Sequence, residues 1–104
     1  MEFKVVLTDR AQLDFRNIIH YLLYELRNKQ AAMNVTDDME NTIERLSYMA
    51  SGLKLCDDPG LHALGYHTIH FKRHNYFMLY RMQDDTVYVD AIYHDLQNYE
   101  DIWE

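Results

Sequence analysis

Residues 66–94 read YHTIHFKRHNYFMLYRMQDDTVYVDAIYH, and the alternation within this stretch decides the fold. Tyr66 to Phe71 alternates and is rich in β-formers, Lys72 to Asn75 is a polar break, and Tyr76 to Met82 alternates again. Gln83-Asp84-Asp85 then leads into Thr86 to Tyr93. Three strands joined by two tight turns predict a meander of two antiparallel hairpins.

Side chains alternate faces along a strand, so the turns set the pairing. With Asp84 and Asp85 as a two-residue turn, Arg81 is expected opposite Tyr88, Leu79 opposite Asp90 and Phe77 opposite Ile92. A two- or four-residue turn around Arg73 and His74 sets His70 opposite Phe77, Thr68 opposite Leu79 and Tyr66 opposite Arg81. A three-residue turn would exchange the faces of the first strand alone. One expected face carries His67, Ile69, Phe71, Tyr76, Met78, Tyr80, Met82, Val87, Val89, Ala91 and Tyr93, and is apolar enough to need helices over it. The other carries Tyr66, Thr68, His70, Phe77, Leu79, Arg81, Tyr88, Asp90, Ile92 and His94, a mixed open surface on which chemistry could be built.

Upstream, Phe3 to Thr8 alternates as a strand, and Thr8 or Asp9 can cap a helix running to Arg27 with Ala11, Phe15, Ile18, Ile19, Leu22 and Leu26 on its buried face. After the polar break Asn28 to Gln30, a second helix places Ala32, Val35, Met39, Ile43, Leu46 and Met49 on one stripe. It is expected to stop near Ser51-Gly52 with the glycine as a left-handed cap. The short connection makes the two an antiparallel helical hairpin. Leu53 to Leu64 reads as a loop containing a Pro59-Gly60 turn. Downstream of the meander, Asp95 can cap a short final helix that buries Leu96, Tyr99 and Ile102 or Trp103.

The fold expected is therefore α+β, one domain over residues 1–104, with the helices on one face of the sheet. The single cysteine, Cys56, rules out an internal disulfide, and no apolar run is long enough for a signal peptide or a membrane span, so the expected location is cytoplasmic. A formal charge of -7 argues against a general nucleic-acid binder. The charge is unevenly spread, because residues 61–83 hold Lys72, Arg73, Arg81 and four histidines with no carboxylate, whereas 84–104 hold seven carboxylates and no Lys or Arg. His67, His70 and His74 do not make a metal site, since a strand sends residues 67 and 70 to opposite faces. Cys56 lies beside Asp57 and Asp58, which disfavour its thiolate.

The order of elements, together with LYRMQDD, AIYHDLQNYEDIW, the Tyr76 to Arg81 run and His94 followed by Tyr99, resembles the RelE/ParE toxins of bacterial type II toxin–antitoxin systems. The resemblance implies a small growth-arresting toxin, of the kind that also stabilises plasmids, neutralised by a cognate antitoxin that wraps its surface. It implies no cofactor, metal or membrane, and leaves a homodimer open. One branch of the superfamily cleaves mRNA on the ribosome, and the other poisons DNA gyrase without being a nuclease. The first activity is the expectation taken forward; gyrase poisoning, or a degenerate chain that only binds its antitoxin, is the alternative. RelE-type nucleases carry basic groups at the positions matching Thr68, His70, Phe77 and Gln97, and a phosphate-holding arginine would be expected where Phe77 stands.

Cleaving RNA this way needs a base for the 2'-hydroxyl, a cation at the phosphate and an acid for the leaving oxygen. His94, Arg81 and His70 are the catalytic candidates, with Tyr66, Thr68, Phe77, Tyr88, Asp90 and Tyr99 as binding candidates. In the expected sheet His70 and His94 share a face but stand about 12 Å apart, too far for one phosphodiester to touch both. The competing class is a protein-docking module, favoured by the acidic charge and by nine tyrosines.

Overall fold

The strand Thr86–His94 (β4) is the inner strand that joins the meander to the N-terminal strand. The computed structural model describes residues 2–96. Its four-stranded sheet has the order β1-β4-β3-β2, with β1 Lys4–Leu7, β2 His67–His70 and β3 Tyr76–Gln83. The meander is present as expected, and β1 joins it in parallel on the far side of β4, pairing Val5 with Val87 and Leu7 with Val89. A parallel pair needs a crossover, and the helical hairpin supplies it.

Helix α1 (Asp9–His20) starts where Thr8 Oγ1 accepts the Ala11 amide at 3.3 Å. It continues as a single wide turn, Tyr21–Glu25, in which the Leu26 amide reaches back five residues to the Tyr21 carbonyl, and it stops at Arg27 with φ 50°. Helix α2 (Lys29–Met49) is capped by Asn28, which accepts the Ala31 amide at 3.0 Å. Ala11, Leu22, Ala32, Val35 and Leu46 bury against Ile69, Met78, Tyr80, Val87 and Val89, the helix-covered face the alternation predicts. The Tyr80 hydroxyl inside this core donates to the Ala50 carbonyl at 2.7 Å, so its burial leaves no orphan donor.

Several local expectations are corrected. Leu26 and Met49 are exposed, because the helices end in a wide turn and a short 3-10 turn (Ala50–Gly52) that rotate them off the buried stripe. The left-handed glycine is Gly65, at φ 81°, and not Gly52. Pro59-Gly60 is the start of a short helix, α3 (Pro59–Ala63), with Asp58 accepting the Leu61 amide at 2.9 Å and Pro59 in the first turn, where its missing N–H costs nothing. Of the final helix expected from Asp95 onward, only its start is described: Asp95 and Leu96 form a turn, and Leu96 is exposed rather than buried because nothing described packs on it, while Gln97, Tyr99 and the residues after them lie outside the described residues.

The largest correction is the register of β4. Arg81 faces Tyr88, and Thr68 faces Leu79, as expected, but the ladder slips between Leu79 and Tyr80. Tyr80 pairs with Val89 and Leu79 with Ala91, so Asp90 is an extra residue, a β-bulge. Every residue after it changes face: Phe77 lies opposite Tyr93 rather than Ile92, Ile92 turns into the helix-side core, and His94 pairs with Tyr76.

Nor is the other face open. Residues 53–65 fold over it, and Cys56, Leu61, Tyr66, Phe77, Leu79, Ala91 and Tyr93 form a second, smaller core. Beyond Val89, β4 has no β1 beside it, and α1 takes over: Thr8 bonds the Val89 carbonyl and Asp14 accepts the Ile92 amide at 3.0 Å.

Candidate functional site

The bulge gives Asp90 a place that neither regular face offers. Its Oδ2 accepts the Tyr66 hydroxyl at 2.5 Å and the Arg81 Nε at 2.8 Å, while the Arg81 guanidinium lies 4.6 Å above the Tyr88 ring. Four of the sequence candidates therefore form one cluster. Burial, and then the Asp90 carboxylate, push the Tyr66 hydroxyl up to about 12, so it is a proton donor to Asp90 and not a base at neutral pH. The bond to Asp90 raises Arg81 further and fixes it as a permanent cation. Arg81 is thus held in place by the protein's own carboxylate, as a brace across β3 and β4.

Phe77 is only 4% exposed. It packs on His70, with ring centroids 5.4 Å apart, and its edge joins Thr68, Lys54, Asp57 and Asp95 around a cleft of about 270 Å³. The exposed His70 ring sits at this cleft with Nδ1 3.3 Å from Asp95. Cys56 lines it as well, and burial, helped by Asp58 and Asp57, pushes its thiol up to about 11, which keeps it from being a nucleophile.

His94 is elsewhere. It stacks edge-on to Tyr76 at 5.3 Å, and its Nδ1 accepts the Leu96 amide at 3.1 Å. It borders a different cleft, of about 580 Å³, against α1. The structure brings Arg81, Asp90, Tyr66 and Tyr88 together, groups Thr68, His70 and Phe77 at a second place, and puts His94 on the opposite face from both.

Two polar arrangements escape a reading of the sequence. Asp38, buried in α2, accepts the Arg73 amide at 2.9 Å, the Lys72 amide at 3.3 Å and the His74 Nδ1 at 2.7 Å, and so pins the β2–β3 turn to the helix. Burial opposes its charge, yet the bonds from His74, Arg73 and Lys72 outweigh that and hold the carboxyl below the usual range. Its signal was a carboxylate on the buried stripe of α2, between Val35 and Thr42. The second is Arg10, whose guanidinium donates to the Tyr93 hydroxyl at 2.9 Å and lies 3.8 Å from Asp14. Among the described residues no three His, Cys, Asp or Glu side chains come together as a metal site.

With the geometry in view, the chain was compared with known proteins. Residues 5–99 match the family described as the ParE toxin of type II toxin-antitoxin system, parDE. The chain belongs to the ParE toxin family. Comparison with curated proteins finds no match. Among solved structures, a chain of the chromosomal ParDE TA system from P. aeruginosa superposes with a TM-score of 0.70 at 17% identity, covering 89% of this chain and 96% of that one. At that identity the likeness speaks for the fold.

Membership makes this ParE-family chain the toxin of a toxin–antitoxin pair, with an antitoxin as its partner. Among the described residues no helix is long and apolar enough to cross a membrane. At the positions where the resemblance to RelE-type nucleases leads one to expect basic groups, the structure has a core aromatic, Phe77, beside the neutral Thr68 and the exposed His70.

Proposed function

We propose that this ParE-family toxin acts in the cytoplasm by docking on a protein target, with DNA gyrase the target the superfamily offers, and that it does not cut mRNA. The observation that carries the reading is the Asp90 bulge. It puts His94 opposite Tyr76, and so on the other face of the sheet from His70, which pairs with Phe77 in the regular β2–β3 ladder. A base and an acid that must act on one phosphodiester cannot be divided by the sheet. The absence of a cation at Phe77 points the same way, since phosphoryl chemistry leans on charges aimed at the phosphate. Ribosome-dependent mRNA cleavage is the activity this reading rejects.

The test is expression of the chain alone in a bacterial host, followed by three measurements: growth, gyrase–DNA breaks trapped by detergent, and mRNA ends mapped by primer extension. Arrest with trapped breaks and intact message is the expected result. Ribosome-dependent cuts with normal supercoiling would sink the proposal, and full growth at high soluble expression would favour a chain that only binds its antitoxin.

A further inference from the structure

We propose that the outer edge of β1 pairs with the same edge of a second copy of this chain, antiparallel and centred on Val5, so that the two sheets join into one. This goes beyond the docking reading above and holds whatever the target is.

The two edges of the sheet are finished differently. Along β2, Leu55 bridges His67, the Cys56 amide donates to the Tyr66 carbonyl, and Arg45 donates to the His70 carbonyl at 2.6 Å, so the chain itself covers that edge. The middle of β1 has no such cover. The Lys4 amide bonds Asp85 and the Thr8 amide bonds Val89, and in a parallel ladder this points the main-chain groups of the alternate residues, Phe3, Val5 and Leu7, away from β4. The Phe3 amide is taken up by the Ser47 carbonyl, and the Leu7 carbonyl by the Gln12 side-chain amide at 3.0 Å. The Val5 amide and carbonyl, the Leu7 amide and the Phe3 carbonyl have no partner among the described residues. Open main-chain groups along an edge are a template for another strand.

The pattern of taken and open groups selects the occupant. In antiparallel pairing centred on Val5, the two Val5 residues exchange both of their bonds, and the Leu7 amide of each copy meets the Phe3 carbonyl of the other. The remaining bond of that ladder would join the Phe3 amide to the Leu7 carbonyl, and these are the groups that Ser47 and Gln12 already hold. A second copy therefore leaves nothing unmatched. A strand of other origin would bring a carbonyl to Phe3 and an amide to Leu7, each left without a partner.

The flanks follow the same two-fold axis, which sets the Phe3 end of one copy beside the Leu7 end of the other. Tyr48 and Met49 follow Ser47 at the first end, and Leu13 follows Gln12 at the second. They are 56%, 41% and 47% exposed, large side chains that the single chain leaves in water. A strand of four residues is short for a stable joint, which needs about 1,000 Å² of buried surface, and these side chains supply the rest. Lys4, exposed on the edge, falls opposite Val6 of the other copy, where its stem lies along the valine and its charge reaches water.

The experiment uses the purified full chain, with sedimentation velocity over about 10–500 µM to read association, NMR amide exchange to read the edge, and thermal melts to confirm folding. The parent should dimerise as concentration rises, with exchange at Val5 and Leu7 slowing in step. Val5→Pro removes the central donor without touching the ladder to β4, and should weaken association by about tenfold or more. The register is read at Val6, which belongs to neither core. Val6→Lys sets like charge opposite Lys4 of the other copy and should weaken association by about threefold or more, whereas Val6→Glu sets a carboxylate there and should hold it at parent strength or tighten it. A parent that stays monomeric through that range overturns the proposal. So does a dimer in which Val5 and Leu7 exchange as in the monomer, or one that Val6→Lys and Val6→Glu weaken alike. Protection of the edge that appears only with antitoxin bound assigns the edge to the antitoxin and overturns self-pairing.

Discussion

Replacing Asp90 by alanine removes the acceptor on which the bulge cluster is built. The Tyr66 hydroxyl, in a side chain 7% exposed, then loses its acceptor and is left buried, which costs about 1–3 kcal/mol. The Arg81 pair adds no more than about 1 kcal/mol, since more than a third of that side chain is in water, where screening weakens an ion pair. Together Asp90→Ala should destabilise by about 1–4 kcal/mol, which for a domain of this size lowers the melting temperature by roughly 5–30 °C. Urea denaturation followed by circular dichroism measures the loss. A double-mutant cycle isolates the hydroxyl: in a Tyr66→Phe background the same substitution should cost about 1–3 kcal/mol less, because no donor remains to be orphaned. A loss below about 0.5 kcal/mol, or strict additivity of the two substitutions, would refute the view that Asp90 holds the second core to the sheet.

Phe77→Arg would restore the arginine position of RelE-type nucleases, but it inserts a guanidinium into the second core; a stability loss of about 2–4 kcal/mol is expected. Primer extension on translating ribosomes should show no new mRNA ends, and cleavage gained by this one change would mean that His94 can reach the site after all. Asp38 has a folded-state pKa below its unfolded value of about 3.9. Its stabilisation is therefore fully present above that pH and is lost as the pH falls through the folded value. Asp38→Asn should lower stability at neutral pH and flatten the acid limb below about pH 4, as read by urea midpoints across pH; parallel curves for the two proteins would contradict this. On α2, Leu46→Ala should cost about 2–5 kcal/mol and Met49→Ala under about 0.5, because Leu46 is fully buried and Met49 is 41% exposed. Equal losses would put Met49 back on the buried stripe.

The sequence by itself determined the elements and most of the main core. Alternation through Ile69, Met78, Tyr80, Val87 and Val89 marked the face under the helices, and Thr8 supplied the cap at the start of the first helix. These are local matters, since a period of two, a period of 3.6 and a capping oxygen act over a few residues. The Asp84-Asp85 turn fixed the pairing of Arg81 with Tyr88 for the same reason. What only the tertiary structure decided lay beyond that range. VDAIYH alternates acceptably in either register, and the extra residue at Asp90 is favoured only because Thr8, Tyr66 and Arg81, brought in from three other segments, bond to it or to its carbonyl. That single slip moved Ala91 and Tyr93 into the second core, turned Ile92 to the helices and separated His94 from His70. The cover that residues 53–65 lay over the other face, and the parallel docking of β1 on β4, likewise come from contacts between distant segments. A one-residue shift reverses every side chain after it, so the part of the sheet that bears on function was the part alternation alone could not place.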